Sequence, residues 1–262
     1  MRALAVTDLP ETCHPAKPQV ASLPRTTLAD MAEAGEEIVE IYRVLAKTGD
    51  NVVGELLRSS GTFYEWDHYP PGDVYDPETH AQYYYHAHPG DQRFEGEHGH
   101  FHTFLRPGGM PPGIKPAPVP PSDLPADPEE RLSHLIAVAM TPQGLPFRLF
   151  TVNRWVTGET WYAAEDVIAM LDRFEIDHAR PSWPANRWIT AMMRLFRPQI
   201  VELIRARDRA IAAWREQRNP PDVFEDRDLE IASLLEVSVT EQIRAVGLAL
   251  GDRGGADLAP GR

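Results

Sequence analysis

The segment YYYHAHPGDQRFEGEHGHFHTF, residues 83–104, is the most informative stretch of the chain. Histidines stand at alternate positions on either side of a turn: His86 and His88, then His98, His100 and His102. In an extended strand, alternate side chains share one face. Residues 80–88 therefore read as one strand and 97–106 as its antiparallel neighbour, with Gly90, Asp91 and Gly96 supplying the turn. A register that sets His88 opposite His98 also sets His86 opposite His100 and Tyr84 opposite His102. All of these then face the same way. Tyr83, Tyr85, Ala87, Gly99, Phe101 and Thr103 face the other way, toward a covering layer. A one-residue slip would destroy the cluster.

Outward from this hairpin the period-2 pattern continues. GTFYEWDHY, residues 61–69, reads as a preceding strand, and PPGDVYDPET as a turn region. LSHLIAVAMT (132–141) and FRLFTVNRWVT (147–157) supply a fourth and a fifth strand. Between them and the histidines lies a proline-dense insertion, 107–130, long enough to be either a cover over the site or a surface strap. The flanks switch to helical spacing. Leu28, Met31, Ile38, Tyr42 and Leu45 mark one helix, entered at Thr27 with Asp30 as a variant capping box and ended by Gly49. Val52, Val53, Leu56 and Leu57 mark a second. After the sheet, Ala164–Phe174 is amphipathic. A long helix follows from Pro184 to about Arg218, kinked at Pro198, and a last helical region runs from about Asp226 to Leu250.

Strands in the middle and helices on both sides give an α+β fold. Its centre is an antiparallel sheet of about five strands, because their connections lack helical crossovers. An N-terminal helix pair and a C-terminal helical region flank it. The expected organisation is a Pro-rich flexible tail over 1–25 and one α+β domain over 26–250. Within that domain 26–58 is helical, 61–162 is sheet with its insertion, and 163–250 is helical; a second tail covers 251–262. Helices should cover one sheet face and leave the other to the histidines.

Composition narrows the partners. A formal net charge of −13 disfavours phosphate backbones and anionic membrane surfaces, so neither nucleic acid nor membrane is expected. The chain has one cysteine, Cys13, which excludes an intrachain disulfide and a thiolate cluster. Any metal must be held by nitrogen and oxygen. No apolar run has the length of a signal peptide or membrane helix, so a soluble cytoplasmic protein is the expectation. The apolar stripes of the C-terminal helices permit a homo-oligomer.

Imidazole is the commonest protein ligand for transition metals. His86, His88, His98, His100 and His102 are therefore the candidate metal ligands, three or four of them for one ion. Glu95 and Glu97 are candidates for ligand, orienting partner or general base, and Tyr84, on the histidine face, for proton donor or oxyanion partner. His68 and His134 lie on neighbouring segments where either can join the cluster, whereas His80 and His178 read as loop residues. Arg106, Arg148 and Arg154 are candidate anchors for a substrate carboxylate, or pair with surface acids. The HxH pair is similar to that on cupin barrel strands. The glutamate and second histidine motif that follow it in cupins are missing here, so no cupin residue is carried over. HExxH, a phosphate loop and GxSxG are also absent.

These residues point to a metal-dependent enzyme acting on a small molecule, with iron, copper or zinc as cofactor. Zinc implies hydrolysis or hydration, and iron or copper implies oxygen-dependent oxidation. The aromatic surroundings favour the redox metals. The alternatives are a non-catalytic metal or haem carrier or sensor, a cofactor-free interaction protein, and a solvated histidine face with no function.

Overall fold

A computed structural model describes residues 13–58, 60–120 and 125–256, side chains of 252–256 excepted. Of the two expected tails, residues 1–12 and 257–262 lie outside the described residues; the described part of the first is not a free tail, since Cys13 is buried and Val20 and Leu23 pack on the core, and the last helix continues to Ala256. The chain opens with α1 (Arg25–Ala46) and α2 (Val52–Leu57), then lays down β1 (Tyr69–Tyr75), β2 (Ala81–His86), β3 (Gly99–Leu105), β4 (Ser133–Met140) and β5 (Pro146–Val152). After a single turn α3 (Arg154–Thr157) come α4 (Ala164–Met170), α5 (Trp183–Leu195), α6 (Arg197–Arg218), β6 (Ile231–Glu236) and α7 (Val239–Ala256). Among the described residues these strands form one antiparallel sheet in the order β1-β2-β3-β4-β5-β6. The α+β class and the antiparallel sheet are as the sequence leads one to expect, with six strands rather than about five.

Two elements differ from expectation. The first strand is YPPGDVY, which reads as a turn, and not GTFYEWDHY. Trp66 takes a left-handed backbone (φ 71°) and ends any extended run there. Prolines are tolerable in β1 because it is an edge strand, where an N–H is dispensable. Its ladder bulges between Tyr69 and Val74, where Gly72 (φ 82°) and Asp73 (φ 61°) are left-handed. The second departure is β6, inside the expected last helix. IASLLE is short enough to fit either period. Pairing with β5 decides it, Leu234 opposite Phe150 and Leu235 opposite Leu149.

The helices differ in smaller ways. α1 starts at Arg25 with Pro24 at its cap position, so the Thr27–Asp30 box is not used. The long C-terminal helix is two helices, α5 and α6, meeting at Phe196, with Pro198 in the first turn of the second, where its missing N–H costs nothing.

The sheet has a helical face and a histidine face. On the first, Tyr83 donates a hydrogen bond to Asn186 Oδ1 of α5 (2.6 Å), and Phe101 packs on Trp188 of the same helix (ring centroids 5.2 Å). α5 in turn packs on α1, tied by Trp188 Nε1–H donating to Tyr42 Oη (2.9 Å). α6 lies on β5 and β6, and α7 on α1. The stripe residues Ile200, Leu203 and Ile204 are buried within the chain, which removes the reason for expecting a subunit contact there. Among the described residues no helix is long and apolar enough to cross a membrane.

Candidate metal centre

The β2–β3 register is the expected one where the strands pair: His86 opposite His100 and Tyr84 opposite His102. Gly99 permits the close pairing, since a Cβ there would collide with the His86 carbonyl and stand 2.7 Å from Tyr85 Oη. The histidine face is not solvated. His86, His88, His100 and His102 are all buried, His102 completely.

Three imidazoles converge. His86, His100 and His102 each offer one ring nitrogen, and these atoms lie within 4.8 Å of one another. His86 Nε2 and His100 Nε2 are 2.8 Å apart. A tetrahedral ion bound at about 2.0–2.1 Å sets its nitrogens ~3.3 Å apart, a spacing that lies between the 2.8 Å of the His86–His100 pair and the 4.8 Å limit of the group, so modest ring shifts would let the three share one ion.

The outer partners fix which nitrogens are available. Glu97 Oε1 lies 2.5 Å from His100 Nδ1, and a carboxylate can only accept, so Nδ1 carries the proton and Nε2 keeps its lone pair. On the other side His102 Nδ1 is 3.0 Å from His134 Nε2. His102 Nε2 is then buried with no hydrogen-bond partner. An unpaired buried nitrogen is costly in a folded protein, and a cation among the three rings removes that cost.

Burial also favours the neutral form of His86 and His102, the form that ligates. Desolvation, with the neighbouring imidazoles, pushes His86 and His102 far below the usual histidine range. It pushes His88 down to about 4 and, with Arg207 contributing, His134 down to about 3. Burial alone would raise the Glu97 carboxyl. Its attraction to and hydrogen bond with His100, and the N–H of Phe94, outweigh this and hold it below the usual carboxylate range.

The remaining candidates divide clearly. His134 joins the cluster behind His102, its backbone N–H held by the buried Glu159 carboxylate (2.7 Å), whose pKa burial raises to about 7. His88 borders the cluster, its ring 5.0 Å from that of His86 and 5.1 Å from that of His100. His68 stands at the edge, stacked on Tyr84 at 3.6 Å and bound to Asp73 Oδ1 (2.9 Å). Tyr84 packs its ring against His86 and His102, and burial raises its hydroxyl pKa.

His98 is not brought to the cluster. Lying just before β3, its ring turns to the helical side, where Nδ1 is 2.6 Å from Tyr85 Oη and the ring packs on Phe63. If the cluster holds a metal, replacing His98 by glutamine is therefore expected to leave the metal content unchanged, which elemental analysis of the variant checks. Loss of metal would place His98 among the ligands after all.

Glu95 is exposed, outside the cluster. The three arginines have partners inside the chain: Arg106 with Gln82, Arg148 with Glu236, and Arg154 with Asp222, Glu225 and the Pro120 carbonyl. The described part of 107–130 reaches Trp161, where Ala117 N–H donates to its carbonyl.

Beside the cluster is a cavity of about 40 Å³, walled by His88, Glu97, His100, His102, Phe150 and Glu230 among others. Glu230 had no signal in the sequence, because the segment before β6 reads as helix. Its carboxylate lies 4.0 Å from His88 Nδ1, and burial raises its pKa.

The family described as "Domain of unknown function (DUF6969)" matches residues 32–237. No curated protein and no solved structure matches the chain.

Proposed function

This chain belongs to the DUF6969 family, whose description carries no activity, and we propose that it is a metal-dependent enzyme acting on a small molecule. His86, His100 and His102 hold one transition-metal ion. The observation that carries this reading is the buried, unpartnered Nε2 of His102 beside the His86–His100 pair. Three nitrogen ligands without thiolate suit zinc, copper or iron. Such an ion supplies Lewis-acid activation of water or, for iron and copper, chemistry with dioxygen.

A carrier or a structural site closes its coordination shell, whereas a catalytic site keeps one position open. The cavity against His100 and His102 supports the open kind. Glu97 uses Oε1 on His100 and Oε2 on the Phe94 N–H, so its role is to orient a ligand. Glu230, in the cavity wall, is the carboxylate placed to accept a hydrogen bond from a molecule bound there.

Glu97→Gln tests the reading without removing a ligand. The neutral amide keeps the shape and loses the charge that makes His100 a better donor. Metal affinity is expected to fall about 10–100-fold, the usual cost of losing such a partner. Titration of the metal-free variant with zinc measures this, and an affinity equal to that of the unaltered chain would contradict it.

A further inference from the structure

Resting on the metal reading above, we infer that His88 is a fourth imidazole ligand of the same ion. The ring positions carry this. The His102 ring stands 5.2 Å from that of His86 and 4.8 Å from that of His100. The His88 ring stands 5.0 Å and 5.1 Å from the same two. His88 is thus as close to the His86–His100 pair as His102 is. At about 2.0–2.1 Å per nitrogen, the ring centres of two imidazoles on a tetrahedral ion stand ~5.2 Å apart. All of these separations lie close to that spacing.

The surroundings of the ring agree. His88 follows His86 by two residues, just past the last paired position of β2. Trp66 N–H donates to the Ala87 carbonyl (2.9 Å), and the Arg93 guanidinium donates to the His88 carbonyl, so the chain is held there beyond the ladder. The Trp66 ring stacks on His88 at 4.4 Å and fixes its outer face. His88 is only 8 % exposed, yet neither ring nitrogen has a hydrogen-bond partner among the described residues. Glu230 Oε1 stands 4.0 Å from Nδ1, past hydrogen-bond reach. As at His100, the carboxylate lies on the Nδ1 side, which leaves Nε2 for the ion. An imidazole held in the interior without partners is costly, and the ion relieves that cost. Four imidazoles admit a reactant as a fifth ligand, an expansion that catalytic zinc sites make. His88, His100 and His102 all line the cavity from which it would arrive.

Magnetic resonance of the metal-free full chain, labelled with nitrogen-15 in its histidines, counts the ligands as zinc is added. Four ring-nitrogen resonances are expected to move to the zinc-bound position, one of them on the ring that shows proton contacts to Trp66. His88→Gln should remove that resonance and leave the other three. Its zinc affinity should fall about 100-fold, the upper end of the scale for losing an orienting partner. A merely structural role, bracing Trp66, would move no nitrogen resonance on zinc addition. If His88→Gln does not fold, the count in the unaltered chain decides alone.

Three shifted resonances, with that of the Trp66-stacked ring left in place, would overturn the inference while leaving the three-histidine site standing. Folded His88→Gln that loses less than about tenfold in zinc affinity, below the cost of an orienting partner, would also overturn it. A chain in which zinc moves no histidine resonance would instead defeat the metal reading itself.

Discussion

Under the proposed metal function, replacing His100 with alanine is expected to abolish stoichiometric metal binding and, by a separate route, to lower the stability of the fold. His100 is the hub of the centre. Its Nε2 faces His86 Nε2 at 2.8 Å, and its Nδ1 is held by Glu97 at 2.5 Å. Removing it deletes a ligand, so affinity should drop by more than the 10–100-fold expected for an orienting partner. It also strands the Glu97 carboxylate, whose side chain is only 3 % exposed. A buried group that loses its partner costs about 1–3 kcal/mol, more when charged. The double variant His100→Ala/Glu97→Ala should recover part of the lost stability and none of the metal. Urea denaturation and zinc titration on the same samples separate the two effects. A His100→Ala protein that binds metal within tenfold of the original would remove His100 from the ligand set.

Trp188→Ala should destabilise the chain by about 3–5 kcal/mol, the range for deleting a large buried aromatic side chain. Trp188 is completely buried and joins three layers. Its ring packs on Phe101 of β3, its Nε1–H donates to Tyr42 Oη of α1 (2.9 Å), and its own helix α5 carries Asn186, the acceptor for Tyr83. Phe101 lies between His100 and His102 in sequence, on the opposite face of the strand. Slack behind Phe101 is therefore transmitted to both neighbouring imidazoles. Metal affinity should weaken in Trp188→Ala, but less than in any ligand variant, because all three imidazoles remain. Thermal and urea unfolding check the first part. A loss under about 1 kcal/mol would show that the helical layer does not brace this strand.

Much of this was legible in the sequence because period-2 patterning and hairpin register are local. The alternation of histidines and aromatics over 83–104 set both the sheet face and the His86–His100 and Tyr84–His102 pairings. Where the ladder ends, the alternation rule lapses, and this is why His98 escaped it. One residue before β3 its ring turns to Tyr85 and Phe63 instead. His134 reaches the face because the β3–β4 ladder shifts between Thr103 and Phe104, and only the neighbouring strand creates that shift. Glu230 and β6 were not legible for a related reason. IASLLE becomes a strand only by pairing with β5, a contact across some eighty residues of chain. The order of β1 was hidden by its prolines, which the edge position excuses.

Elemental analysis of untagged protein, purified without chelator, addresses the centre itself. The proposed function predicts one equivalent of a transition metal per chain, lost in His86→Ala/His100→Ala protein that still shows the antiparallel-sheet and helix signals of the original. Metal-free protein that also refuses added zinc, copper and iron would contradict it, and would leave His102 Nε2 a buried nitrogen with no partner to account for it.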